Sequence, residues 1–332
     1  MNEPIKRRKR VVSGMRPTGA LHIGHLHGVL QTWAGMQDDY DCFFFIADFH
    51  ALTNWHEGLN VLNDSREVVL DWLSCGLDPS RSTIFKQSDI PQIPPFHLIL
   101  SMFTPVGWLL RNPTYKEQVE QLKIESPNYG FLGYPVLQSA DVCMYKGELV
   151  PIGRDQAPHL NLTVDLAQAF TSKFGPVFPV PDYLHSEFPT VPGTDNRKMS
   201  KSYGNAIYIK ESEESTTEKF MKMYTDPKKP YKNDPGHPDE CPVFYLDKIY
   251  IKNPDELAEI RRTCESGERG CVQCKREMAA ACNDFLRPIR EKRERLAENP
   301  EEVDRILSDG AKKAGEVAEV VLGDTMKAVG IR

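Results

Sequence analysis

No apolar run in this sequence approaches the roughly 18 residues needed to span a bilayer, so no segment reads as a membrane helix. The basic start, Lys6-Arg7-Arg8-Lys9-Arg10, is followed only by Val11 and Val12 before Ser13-Gly14. A secretory leader needs a longer apolar stretch there. The arm therefore reads as a solvated basic segment or a nucleic-acid contact, and the expected compartment is the cytoplasm. Positive charge is not in excess either: Lys and Arg total 41 against 47 Asp and Glu, a formal charge of −6. This excludes a uniformly basic nucleic-acid binder and leaves only local patches for such contacts. The sequence also lacks internal repeats, low-complexity tracts, a GxGxxG fingerprint and a GxxxxGK[ST] loop. Neither a simple dehydrogenase nor a P-loop kinase is supported.

What remains is an ordinary globular composition over 332 residues, 40% hydrophobic and 27% charged, a length that suggests two domains. Arg10-Val11-Val12-Ser13 reads as a short buried strand, and Gly14 to Gly19 as a turn. A helix follows, with Leu26, Val29, Leu30 and Trp33 at helical spacing. The continuous apolar run from Cys42 to Ala47 suits a central parallel strand. Ser65 to Cys75 reads as an amphipathic helix and Ser82-Thr83-Ile84-Phe85 as another strand. Strand and helix alternate, so the expected fold class is α/β: a Rossmann-like doubly wound parallel sheet with a C-terminal α-helical domain. Residues 91–130 carry several prolines and read as an insertion. Residues 131–145 and 155–174 look helical, and Ala206-Ile207-Tyr208-Ile209 looks like a strand. Beyond about residue 211 charged helical patterns dominate. The expected domains are therefore 1–210 and 211–332, with the last helix able to pack back on the first.

Two motifs carry chemistry. The turn after the first strand feeds His22-Ile23-Gly24-His25 at a helix start. Helix N-termini at the carboxyl ends of parallel strands present unpaired N–H groups to phosphate. His22 and His25 share one helix face, and Gly24 lets a nucleotide approach the backbone. Far along the chain, Lys198-Met199-Ser200-Lys201-Ser202 puts two lysines and two hydroxyls on one loop, suited to a polyphosphate.

Cys241, Cys264, Cys271 and Cys274 form a third pattern, C-x22-C-x6-C-x2-C, in a polar, glycine-bearing segment. In a reducing compartment, cysteines suggest metal or chemistry before disulfides. Four thiolates can hold tetrahedral Zn²⁺ or a 4Fe-4S cluster, and the spacing leaves both open. Cys42, Cys75, Cys143 and Cys282 lie outside the pattern; the first three read as small core residues. Arg261, Arg262, Arg269, Lys275 and Arg276 nearby offer either a phosphate-binding patch or a solvated helix face.

His22–His25 and Lys198–Ser202 match the HIGH and KMSKS signatures of class I aminoacyl-tRNA synthetases in full. The words from Ser13 to Gly19, Tyr134 to Asp141 and Pro151 to Gln156 further resemble the bacterial tryptophanyl-tRNA synthetases, from residue 10 to the C-terminus. The resemblance implies a tryptophan–tRNA ligase that uses ATP and Mg²⁺, forms tryptophanyl-adenylate and pyrophosphate, and charges tRNA(Trp). It implies that ATP meets Arg16, Pro17, Thr18, His22, Gly24, His25, Gly153, Arg154, Asp155, Lys198, Met199, Ser200, Lys201 and Ser202. Of these, His22, His25, Lys198 and Lys201 would be catalytic. For tryptophan it implies Asp141 as acceptor of the indole N–H, Tyr134 and Gln156 at the ammonium group, and His50, Gln138 and Val12 around the pocket. The family commonly has glutamate where Arg154 stands, which leaves that residue's role open. A subset of the family carries a 4Fe-4S cluster on the spacing of Cys241, Cys264, Cys271 and Cys274, in an anticodon-binding domain, so the resemblance favours the cluster over zinc. It also implies a homodimer, with residues 91–130 as the place to look for the interface.

Three rival readings stay in view. A tyrosyl-type enzyme reads a phenol and wants a polar partner on the first strand, where this chain has Val12. A small-molecule nucleotidylyltransferase is usually shorter and lacks the helical domain. A non-catalytic, synthetase-like iron–sulfur RNA sensor has no need of both intact signatures.

Overall fold

The computed structural model describes residues 7–54, 58–121, 126–152, 157–185 and 190–332. Its sheet has five strands: β1 (Arg10–Met15), β2 (Asp41–Ile46), β3 (Ser82–Lys86), β4 (Leu149–Ile152) and β5 (Asp182–His185). They lie in the order β3-β2-β1-β4-β5 and every neighbouring pair is parallel. This is the doubly wound arrangement expected from the alternation of strands and helices, with the order reversing beside β1. Contacts divide the chain into two compact units. The first comprises residues 1–19, 32–186 and 299–332; the second comprises 20–31 and 187–298.

All five strands belong to the first unit. Val11, Val12, Phe44 and Ile46 are fully buried, as the central strands of a sheet covered on both faces must be. Trp33 stacks on Phe44 at 4.5 Å, and Tyr145 packs against Phe43 and Phe85 at 5.7 and 5.1 Å. Burial of each such side chain contributes roughly 1.5–3 kcal/mol. Val61–Ser74 is the helix read from residues 65–75, opened by the Asn60 side chain accepting the Asn63 N–H. β4 and β5 were not legible, because each is only four residues long and lies in proline-bearing sequence. Pro300–Ala328 is one 29-residue helix, with Val303, Leu307, Gly310, Ala314, Ala318 and Val321 in a single buried stripe. It lies in the first unit against β3, so closely that a Cβ on Gly310 would stand 1.9 Å from the Ile84 carbonyl oxygen.

The basic arm is tied down at the sheet. Arg7 pairs with Glu148 at 2.8 Å, Arg8 donates to the Asp38 carbonyl at 3.2 Å, and Arg10 pairs with Asp41 at 2.7 Å.

In the second unit, residues 206–209 are not a strand; they make a single antiparallel bridge, His22 to Tyr208. Helices follow: Glu213–Met221, Pro242–Tyr250, Pro254–Glu265 and Cys271–Ala297. No helix among the described residues is long and apolar enough to cross a membrane.

Candidate active site

Both signatures belong to the second unit. Ile23–His25 forms one helical turn and passes into a π-helical stretch, Leu26–Leu30. The turn is held by the segment just after the lysine loop. The Ile23 N–H donates to the Ile207 carbonyl at 3.0 Å, and the Ile209 N–H to the Leu21 carbonyl at 3.0 Å. His25 Nδ1 accepts the His22 backbone N–H at 3.3 Å, and the two rings lie 3.8 Å apart. Met199 is buried and packs over Gly24, where an added Cβ would stand 3.6 Å from Met199 Cβ and 2.9 Å from the His22 ring.

Asn205 fixes the lysine loop. Its Oδ1 accepts the Ser200 N–H at 2.8 Å, and its Nδ2 donates to the Lys198 carbonyl at 3.2 Å and to Asp195 at 2.7 Å. Lys201 then begins a 3-10 turn, Lys201–Tyr203, with Ser202 inside it. Burial drives the His22 pKa down to about 4, with Lys201 adding to the effect. His25 is held well below its ordinary range by burial, then by His22, Lys201 and Lys198. Both imidazoles are therefore neutral at pH 7, and the lysines supply the positive charge.

A second constellation lies in the first unit. Asp141 sits on the helix Tyr129–Met144, fully enclosed at 1% exposure. His50 Nε2 donates to its Oδ2 at 2.9 Å, and Gln87 Nε2 to its Oδ1 at 2.7 Å. Burial raises the Asp141 pKa, opposed by the bonds from His50 and Gln87. Tyr134 and Gln138 lie on the same helix, and the Tyr134 ring stands edge-on to His50 at 6.4 Å. Burial pushes the Tyr134 phenol up to about 12, with Arg16 pulling the other way. Arg16, Pro17 and Thr18 follow β1, and the Thr18 N–H donates to the Arg16 carbonyl at 3.0 Å. Val12 is fully buried in the core with Phe43 and Phe85. Gly153, Arg154, Asp155 and Gln156 follow directly on β4 and lie outside the described residues.

Two groups here were not anticipated. Gln87 lies in a 3-10 turn after β3 and is completely buried. His97, on Ile93–Ser101, keeps its Nε2 buried without a hydrogen-bond partner among the described residues. Neither belongs to a motif.

The four patterned cysteines stand at the ends of three helices in the second unit. Cys241 caps the N-terminus of Pro242–Tyr250, Cys264 lies in the last turn of Pro254–Glu265, and Cys271 and Cys274 open Cys271–Ala297. Each thiol lies within electrostatic reach of the others. Arg269 Nε donates to Cys274 Sγ at 3.2 Å, and Gly236 leaves space for Cys264 Sγ, which an added Cβ would meet at 2.5 Å. Lys229 acts on Cys264, while Cys271 and Cys241 act on Lys275; both lysines are buried. Burial raises the thiol pKa of Cys241, of Cys264 (to about 11) and of Cys274, opposed by Lys229 at Cys264 and by the Arg269 hydrogen bond at Cys274. Among the described residues, no group of three or more His, Cys, Asp or Glu side chains converges as a single metal ion requires.

The basic patch is largely spent on internal pairs. Arg261 pairs with Glu265 at 3.0 Å and with Asp239, Arg262 with Glu259 at 2.8 Å and Glu268 at 3.0 Å, and Arg269 with Glu277. Lys275 is buried, donating to Thr225 Oγ1 at 2.6 Å. Only Arg276 of the five is both exposed and outside these pairs.

Comparison with known proteins gives the family. Residues 4–287 match the family described as tRNA synthetases class I (W and Y). The chain belongs to that family. It is 38% identical to the tryptophan–tRNA ligase of Aquifex aeolicus over 97% of this chain and 100% of that one. It is 40% identical to the tryptophan–tRNA ligase of Thermotoga maritima, covering 97% of this chain and 99% of that one. Among solved structures, tryptophanyl-tRNA synthetase of Campylobacter jejuni complexed with ADP and tryptophan superposes with a TM-score of 0.87 at 32% identity, over 97% of this chain and 99% of that chain.

Proposed function

We infer that this chain is an ATP-dependent tryptophan–tRNA ligase. The observation that carries the reading is the pairing of an intact HIGH turn with an intact KMSKS loop, held against each other through Gly24 and Met199. Full-length relatives that are tryptophan–tRNA ligases support it. The tryptophan carboxylate attacks the α-phosphorus of ATP, the bond to the bridging oxygen breaks, and pyrophosphate leaves. The adenylate then passes its aminoacyl group to the 3′ end of tRNA(Trp), releasing AMP. No enzyme nucleophile is needed, so the protein's work is positioning and charge stabilisation.

His22 and His25, being neutral, orient the phosphates and ribose as hydrogen-bonding groups. Lys198 and Lys201 compensate the charge that develops on the β- and γ-phosphates. Arg16, Pro17, Thr18, Gly24, Met199, Ser200 and Ser202, with Gly153, Arg154 and Asp155, complete the nucleotide contacts. Mg²⁺ would accompany the phosphates as a further counter-charge. Asp141 accepts the indole N–H, the one donor indole has. Tyr134 and Gln156 take the ammonium group, and His50, Gln138 and Val12 shape the pocket.

Cys241, Cys264, Cys271 and Cys274 hold a 4Fe-4S cluster in a region that reads the anticodon. Such a group would supply structural cross-linking of three helix ends. The enzyme works in the cytoplasm as a homodimer. Exposed Leu98, Met102, Val106 and Leu110, all within residues 91–130, support that face as the interface.

Aminoacylation of tRNA(Trp) with tryptophan, dependent on ATP, tests the activity; charging with tyrosine alone overturns it. Iron and acid-labile sulfide in anaerobically purified protein test the cluster, and a colourless, iron-free sample contradicts it.

A further inference from the structure

The four cysteines and the signature residues belong to one unit, and two helices lead from the former to the latter. Pro242–Tyr250 starts at Cys241 and ends on Tyr250. Cys271–Ala297 starts at Cys271 and Cys274 and carries Cys282, Phe285 and Arg290 further along. Tyr250 at the end of the first helix, and the middle of the second, hold the segment bearing the first signature. Tyr250 Oη lies 2.9 Å from His27 Nε2, and His27 Nδ1 lies 3.0 Å from Gln31 Oε1. His27 is buried and its pKa is driven down to about 4 by burial, so the ring is neutral. Nδ1–H then donates to Gln31, and Nε2 accepts the Tyr250 hydroxyl proton. Cys282 Sγ donates to Tyr250 Oη at 3.5 Å. Phe285 packs on Tyr250 at 5.4 Å and on His27 at 5.7 Å. Arg290 Nε donates to the Ile209 carbonyl at 3.2 Å, on the strip that pairs with Leu21 and Ile23.

His27 follows His25 by two residues and lies in the π-helical stretch. A π turn is the less favourable helix and persists where its surroundings hold it. The helix Pro242–Tyr250 is only about 13 Å long at ~1.5 Å per residue, so the link is short and stiff.

We propose that Tyr250 is a positioning residue for ATP: its hydroxyl holds His27, and with it the π turn that sets His22 and His25, and through its helix the state of the four-cysteine site governs ATP affinity. The proposal rests on the reading that ATP occupies the two signatures and that the cysteines carry a group.

Full-length wild type and Tyr250→Phe, with the cysteine site loaded, are compared by equilibrium dialysis with ATP alone and with tryptophan alone. The phenyl ring keeps the packing and removes one hydroxyl. The ATP Kd should rise about tenfold while the tryptophan Kd stays within about twofold, a split that a general loss of structure would not produce. Stripping the cysteine site should weaken ATP binding in wild type and add little in Tyr250→Phe. An ATP Kd unchanged in Tyr250→Phe, or stripping that affects both proteins equally, overturns the inference and leaves the ligase reading intact. Wild type that binds no ATP overturns both. Should Tyr250→Phe not fold, His27→Phe, which keeps a ring against Phe285, is read in the same way.

Discussion

Met199 Cβ stands 3.6 Å from the place a Cβ on Gly24 would take, and the same Cβ would lie 2.9 Å from the His22 ring. The two signatures, some 175 residues apart in sequence, thus lie side by side at Gly24, where the tight neighbour of an added methyl is the His22 ring and Met199 stands at ordinary van der Waals distance. Gly24→Ala must displace the His22 ring. Loss of about tenfold or more in kcat/KM for ATP is expected, with the tryptophan KM little changed, checked by steady-state exchange kinetics.

Asp141 is enclosed, with His50 on one oxygen and Gln87 on the other. Asp141→Asn keeps the shape but puts an amide N–H₂ where an acceptor stood. The variant should lose roughly tenfold to a hundredfold in kcat/KM for tryptophan, about 1.4–3 kcal/mol, while ATP parameters hold. Gln87→Leu should give a smaller loss in the same direction. Steady-state kinetics with varied tryptophan checks both.

Gly310 is a purely structural test. A methyl there would stand 1.9 Å from the Ile84 carbonyl oxygen on β3. Relief requires the helix Pro300–Ala328 to lift off the edge of the sheet. Gly310→Ala should cost about 1–3 kcal/mol or more despite alanine's better helix propensity, read as a lowered midpoint in urea.

Stability should fall on acidification through the buried histidines. His22 and His27 have folded pKa values of about 4, and His25 is also depressed, all chiefly by burial. The unfolded chain takes up the His22 and His27 protons near pH 6.5 and the folded chain only near pH 4; the His25 proton moves in the same direction. Stability from this source is therefore complete above about pH 6.5 and is lost as the pH falls toward 4. Each histidine contributes a slope of up to about 1.4 kcal/mol per pH unit within that window. Urea midpoints at pH 7.5, 6 and 5 should descend in that order; a flat profile would contradict the burial of these rings.

Much of this arrangement could be read from the sequence because it is local. The turn after β1, the HIGH tetrapeptide and the KMSKS loop each carry their residue types in a contiguous word. Gln87 and Asn205 could not be read that way, since their importance arises from bonds to residues 54 and 5–10 positions away. β4 and β5 escaped because four-residue strands interrupted or preceded by proline leave no period to detect. Residues 206–209 showed strand-like side chains, yet their role is a bridge to His22. The arginines near the cysteines looked like a phosphate patch because a count of positive charges does not show which acidic neighbours they pair with: Glu265, Glu259, Glu268 and Glu277 lie within eight residues, and only Asp239 is remote.

The central claim is that the two signatures bind ATP and that the pocket around Asp141 admits tryptophan. ATP–pyrophosphate exchange, measured with tryptophan and tyrosine side by side, addresses both without tRNA. The account predicts exchange with tryptophan and essentially none with tyrosine. Exchange with tyrosine would contradict the pocket assignment, and exchange with neither would contradict the enzyme itself.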